Sequence, residues 1–298
     1  MYEKIGIVTN IWAQRMDQGD SFIDLVQQFG QNGFTQFEVR DGDYLRQSIF
    51  GDFLEKLKDV MENYNTEEWE EICRSIWQST EKKEFVGEHQ LLFKQFGDFA
   101  AKVFPFRLSY AISHPWRSQP EDLSADNNFI EQAKRLSYLF CPQSPRLRLV
   151  DLTSPISVDF ETAKININRY LNLLPQTIFA VENAVQPATD LIKLIECTSA
   201  YLTYDEANSY QPDGSVKDDL SVFWGRIQME DLTSVHFKQK TTNGVLTELE
   251  DGWVDLRSIM RKLNQSNYQG DLLIENTPSN DPLTDAINSR RYLLDCLD

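Results

Sequence analysis

Histidine is scarce in this chain. There are three, at positions 89, 114 and 236, too few for a site built from several imidazoles. Cysteine is thin as well. Cys73, Cys141, Cys197 and Cys296 lie far apart with no Cys-x-x-Cys pair, so neither a zinc ribbon nor a thioredoxin-like site is encoded, and a reducing compartment suits the chain. No run approaches the roughly 18 to 20 apolar residues that span a bilayer. The opening stretch MYEKIGIVTNIW has no basic leader before a long apolar core. A soluble, cytoplasmic protein is expected. Neither Gly-x-Gly-x-x-Gly nor Gly-x-x-x-x-Gly-Lys-[Ser/Thr] follows any apolar run, which weakens a nucleotide-binding reading. A Gly-x-Ser-x-Gly elbow is missing too, and no cysteine has an obvious histidine partner, so nucleophile chemistry is poorly supported. Basic side chains number 29 against 46 acidic ones, a net charge of −17. Such a surface repels phosphate backbones and anionic membranes, so no nucleic-acid or membrane partner is expected.

What is present is an ordinary globular composition, 41% hydrophobic and 25% charged over 298 residues, enough to bury a core without disulfides. Short apolar runs alternate with helical spacing along the chain. KIGIVT (4–9), FTQFEV (34–39), RLSYAIS (107–113), RLRLVDL (146–152), TIFAVE (177–182), AYLTYD (200–205), TSVHF (233–237) and DLLIE (271–275) read as strands. Helical patterns separate most of them. The first starts near Ser21, with Asp20 as its N-cap and Gly33 as its stop. Parallel strands need such crossovers, and eight units in this length predict an α/β fold, a closed (β/α)8 TIM barrel over residues 1–298. From about 42 to 105 there is no strand candidate but several helical patterns, FLEKLKDVMENY, EEWEEICRSIWQ and HQLLFKQFGDFAAKVF. This is an extra helical insertion after the second strand, expected to thicken the outer layer, with a lid or a contact in a homo-oligomer as alternatives. His89 falls within it and is expected at the surface.

In this fold, side chains at the carboxyl ends of strands converge on the site. Four consecutive strands offer Glu182, Asp205, His236 and Glu275 at their carboxyl ends. Each follows an apolar run. Carboxylates gathered away from water repel one another and tend to protonate unless a cation compensates them. An oxygen-rich set with one imidazole suits Mn²⁺ or Mg²⁺, with Co²⁺ or Zn²⁺ also compatible. The alternative is that each acid merely caps a neighbouring helix.

The local wording AVEN, TYDEAN, SVHFKQK and LLIEN, with the long run EDGWVDLRSIMRKLNQSNYQGDLLIE, resembles the xylose isomerase-like TIM barrels of the sugar phosphate isomerase/epimerase superfamily. The likeness covers most of 1–40 and 107–290. It implies that Glu182, Asp205, His236 and Glu275 hold one divalent metal, and that Glu182 and Glu275 are the catalytic acid/base pair. The implied activity is metal-dependent isomerisation or epimerisation of a small ketose or polyol through an enediolate. A metal-dependent dehydratase and a non-catalytic sugar-binding barrel remain alternatives on the same scaffold. Three-metal endonuclease relatives are disfavoured by the histidine count and the charge.

The chain departs from the family pattern at Asn208, where ketose epimerases often carry histidine, and at Gln239, where aspartate is common. Lys240 is a candidate replacement for a substrate-contacting arginine. Further substrate-binding candidates are Glu38 (or else an ion pair with Arg40), His114, Trp116 (or else loop packing), Asn208 and Lys238. Asn183 and Asn276 are candidates for orienting the two catalytic glutamates. The lack of a glycine-rich or arginine-rich phosphate site favours an unphosphorylated substrate.

Overall fold

The computed structural model describes residues 5–78, 89–153 and 159–297. Eight parallel strands close a barrel: β1 (Ile5–Val8), β2 (Gln36–Arg40), β3 (Arg107–Ser113), β4 (Arg146–Val150), β5 (Ile178–Glu182), β6 (Tyr201–Asp205), β7 (Leu232–Phe237) and β8 (Asp271–Ile274). They are paired in chain order, and β8 returns to pair with β1. The (β/α)8 barrel expected from the alternation of runs is therefore the observed fold. All eight strand candidates form, Arg107–Ser113 with its expected bounds and the others trimmed or extended at their ends. No helix among the described residues is long and apolar enough to cross a membrane.

Alternation along each strand sorts the residues. Phe37, Leu147, Tyr204 and Phe237 are buried against the surrounding helices, and Tyr204 stacks on Phe223 with ring centroids 3.9 Å apart. Their neighbours face the barrel interior. Asp205 sits beside His236 in register, and Thr203 sits beside Ser234 two residues earlier, their hydroxyls 2.7 Å apart. Leu273 pairs with His236, and the Glu275 amide donates to the Phe237 carbonyl at 2.9 Å. Glu182 and Asp205 therefore end their strands, and Glu275 follows the last residue of β8.

The first barrel helix spans Phe22–Gln31 (α1). Its N-cap is Ser21, whose hydroxyl accepts from the Asp24 amide, and not Asp20, which pairs with Arg15 at 2.5 Å. Gly33 ends the segment with φ of +87°, a conformation that favours glycine.

The insertion folds as helices Ile49–Met61 (α2), Thr66–Gln78 (α3) and Gln90–Val103 (α4), preceded by the short Asp43–Arg46 turn. Leu54, Leu57, Trp69, Phe93, Phe96 and Phe99 recur at helical spacing and are all buried. Two indoles fasten α3 to the helix after β3, Leu123–Phe140 (α5): Trp69 Nε1 donates to the Arg135 carbonyl and Trp77 Nε1 to the Leu139 carbonyl, each at 3.0 Å. Arg135 reciprocates with the carbonyls of Met61 and Tyr64 at 2.9 and 3.1 Å. These contacts make the insertion part of the outer wall. His89, expected at the surface, is half-buried at the start of α4, its ring edge-on to Phe93.

Trp69 is fully buried, so Trp69→Ala removes both a large packed ring and the hydrogen bond to α5. The expected cost is about 3–5 kcal/mol. Urea unfolding of wild type beside the variant measures it, and an unchanged midpoint would show that the insertion does not brace the barrel.

Candidate metal centre and active site

Glu182, Asp205, His236 and Glu275 converge as the strand ends predict. Each offers one ligand atom, and these atoms lie within 4.8 Å of one another, all on buried residues. A set of three carboxylates around one imidazole fits a divalent ion bound mainly through oxygen. Asp205 Oδ2 and His236 Nε2 are buried without a hydrogen bond of sound geometry among the described residues, and each has a charged neighbour, Lys238 Nζ at 2.7 Å and Glu38 Oε1 at 3.4 Å. The backbone supports this arrangement. Asn183 accepts from the Asp205 amide at 2.7 Å and donates to its carbonyl at 2.8 Å, tying the ends of β5 and β6 together. Asp205 Oδ1 accepts from the Ala207 amide at 2.9 Å, and Gln186 donates to the Glu182 carbonyl at 2.9 Å.

Three cations of the chain itself enter the cluster. Arg148 comes from the middle of β4 and is 3% exposed. Its Nη1 binds Glu182 Oε2, while Nη2 and Nε bind Glu38 Oε1 at 2.6 and 3.0 Å. Lys238 Nζ lies 2.7 Å from Asp205 Oδ2 and 2.8 Å from Glu275 Oε2. Arg40 Nη1 reaches Glu275 Oε1 at 2.5 Å, and Asn10 donates to the same oxygen at 3.2 Å. Asn208 donates to Glu182 Oε1 at 3.2 Å. His236 Nδ1 is 3.2 Å from Glu275 Oε2, and its Nε2 is 3.4 Å from Glu38 Oε1.

Titration follows from this crowding of charge. Burial alone would raise the Glu38 carboxyl, but the Arg148 guanidinium and the His236 ring hold it at about 2. Burial also disfavours the imidazolium of His236, yet Glu38, Glu275 and Glu182 push its pKa up to about 10. For Glu275, Lys238, His236 and Arg40 outweigh burial and hold the carboxyl well below the usual range. The Lys238 ammonium is likewise favoured over its burial by Asp205, Glu275 and Glu182.

The structure thus brings Glu38, Asn208 and Lys238 into contact with the four strand-end residues. Glu38 pairs with Arg148 instead of the neighbouring Arg40. His114 and Trp116 are placed differently. His114 Nε2 meets Tyr170 Oη and Asp126 Oδ1, each at 2.9 Å, and its ring stacks on Phe129. Burial pushes its pKa down despite Asp126. Trp116 is buried, with its carbonyl held by Asn166 at 3.0 Å. Asn276 turns to the Ser289 hydroxyl at 3.0 Å, and Asn183 serves Asp205, so the two asparagines do not hold the glutamate side chains. Gln239 bonds both backbone groups of Val254 and pins the following loop, while Lys240 Nζ donates to the Tyr210 carbonyl at 2.8 Å. Arg148 was missed from sequence, and Arg40 was named only as a pairing partner for Glu38. Their signal is the alternation in RLRLV and QFEVR, which puts Arg146 and Arg148, and likewise Glu38 and Arg40, on one strand face.

Truncating one member of a buried charge network leaves the others unpaired. Arg148→Met is expected to cost about 3–5 kcal/mol in urea unfolding, and adding Glu38→Leu is expected to recover part of that loss. Two independent, additive losses would show that the pair is not coupled.

No protein-family model matches the sequence, and no curated protein matches it. Solved structures do match its fold. A xylose isomerase domain-containing protein from Salmonella typhimurium LT2 aligns with a TM-score of 0.61 at 14% identity, covering 99% of this chain and 97% of its own. A D-psicose 3-epimerase from Clostridium cellulolyticum H10, solved with D-tagatose, gives 0.60 at 12% identity and 99% of both chains. A xylose isomerase-like TIM barrel protein from Mycobacterium smegmatis, solved in complex with magnesium, gives 0.60 at 13% identity, covering 99% of this chain and 96% of its own. At these identities the likeness is one of architecture: the chain has the fold of the xylose isomerase-like TIM barrels.

Proposed function

We propose that the chain is a divalent-metal-dependent isomerase or epimerase of a small ketose- or polyol-type sugar, with Glu182 and Glu275 as its acid/base pair. The observation that carries this reading is the meeting of two glutamates, an aspartate and a histidine, their ligand atoms within 4.8 Å, at the carboxyl ends of four successive strands. The fold neighbours lend support, since one is a ketose 3-epimerase and another was solved with magnesium. Glu182, Asp205, His236 and Glu275 would hold the ion, with Mn²⁺ the best match to an oxygen-rich set carrying one imidazole.

A bound dication supplies Lewis-acid polarisation of a substrate carbonyl and its adjacent hydroxyl. The chain's own residues handle the protons. Arg40 holds Glu275 Oε1 at 2.5 Å and favours its ionised form, the state a general base needs. Glu182 is fixed at both oxygens, by Arg148 and by Asn208, so its carboxylate cannot swing away. One glutamate removes the proton from the carbon next to the carbonyl, giving an enediolate. Return of that proton by the same group to the neighbouring carbon, with the hydroxyl proton passing from one enediolate oxygen to the other, interconverts aldose and ketose. Delivery by the other glutamate to the opposite face inverts the centre. Asn208 and Lys238 would meet substrate oxygens. Glu38 acts through Arg148 and is a positioning residue.

Solvent deuterium exchange tests the assignment across many sugars at once. Mn²⁺-loaded protein, incubated in D₂O with a panel of unphosphorylated ketoses, is expected to label one carbon-bound position, read by NMR. Glu275→Gln is expected to slow that labelling by about 10²–10⁴-fold. Equal labelling by the variant, or none by the wild type on any sugar, contradicts the reading.

A further inference from the structure

Lys238 stands apart from the other two cations of the cluster. Its ammonium touches Asp205 Oδ2 and Glu275 Oε2, so it bridges two of the four residues read as metal ligands. Arg148 instead binds Glu182 and Glu38 and is sealed in the barrel, and Arg40 approaches only the other oxygen of Glu275. The Lys238 side chain is 12% exposed, against 0% and 2% for its two partners, so it enters from the mouth. Lysine carries a compact charge on a flexible four-carbon stem and can leave along the path by which it came.

Charge balance points the same way. Glu38, Glu182, Asp205 and Glu275 bring four negative charges, and Arg40 and Arg148 return two. With His236 neutral, as a ligand must be, one dication completes the balance and makes an ammonium surplus. The ammonium and a dication also compete for the same carboxylate lone pairs and repel each other at close range.

We propose that Lys238 is the resident counter-ion of the metal site, and that metal binding expels its ammonium from between Asp205 and Glu275 toward the barrel mouth, where it meets a substrate oxygen. The inference rests on the metal-site reading above. It makes the Lys238 ammonium the occupant that a dication replaces between Asp205 and Glu275, with the cation swap as the step that readies the site.

Two measurements on the full chain test it. Titration of chelator-stripped protein with Mn²⁺ compares wild type with Lys238→Met. Loss of the competing ion pairs is expected to tighten the Mn²⁺ Kd at least about tenfold. Equal or weaker binding by the variant overturns the proposal while leaving the metal site intact, and no Mn²⁺ binding by either protein overturns both. The second measurement needs no variant and decides the matter if Lys238→Met fails to fold. Reductive methylation of wild-type lysines, read by peptide mass spectrometry, is expected to modify Lys238 several-fold faster at saturating Mn²⁺ than in its absence. Unchanged or slower modification of Lys238 under saturating Mn²⁺ overturns the displacement.

Discussion

The interior of this barrel holds acids that water cannot solvate. Charges in such a place need partners within contact distance, since desolvation otherwise outweighs any other gain. TIM barrels more often fill this space with layers of branched aliphatic side chains. Here the layers are ionic. At the amino-terminal end of the strands, Asp271 meets both Arg107 and Arg146. One level up, Arg148 spans Glu38 and Glu182. At the carboxyl ends lie Asp205, His236 and Glu275, with Lys238 and Arg40 beside them. The hydrophobic core is displaced outward, between strands and helices, where Phe37, Leu147, Tyr204 and Phe237 pack.

That division of labour explains the outer helices. A barrel with a polar interior depends for stability on the apolar seam around it, and the insertion after β2 extends that seam with Trp69, Phe93, Phe96 and Phe99. The acidic surface and the cation-rich interior are compatible. Net charge governs long-range encounters, whereas the buried arginines and Lys238 answer to neighbours a few ångströms away.

Much of this was legible in the sequence, for identifiable reasons. Strand positions followed from short apolar runs bounded by turn residues, and the four ligand candidates followed from reading the carboxyl end of each run. Asp20 and Ser21 could not be told apart as N-caps, because both side chains cap well and only the helix start decides. Arg148 was hidden inside RLRLV, where the apolar half of the alternation drew attention away from the charged half. Its partners Glu38 and Glu182 lie 110 and 34 residues away, and closing the barrel is what brings them together. His114 and Trp116 sit at a strand end like the others, but helix α5 and the helix Phe160–Leu173 take up the His114 ring through Asp126 and Tyr170 and the Trp116 carbonyl through Asn166.

If the four strand-end residues form one divalent-metal site, the protein holds metal in stoichiometric amount. Protein is stripped with chelator, reloaded with Mn²⁺ and freed of excess ion. Wild type is then assayed beside His236→Ala, with circular dichroism confirming that both are folded. About one ion per chain is expected in the wild type, with loss of that ion in the variant. A folded wild type that retains no stoichiometric ion, or a variant that retains as much as the wild type, would contradict that expectation.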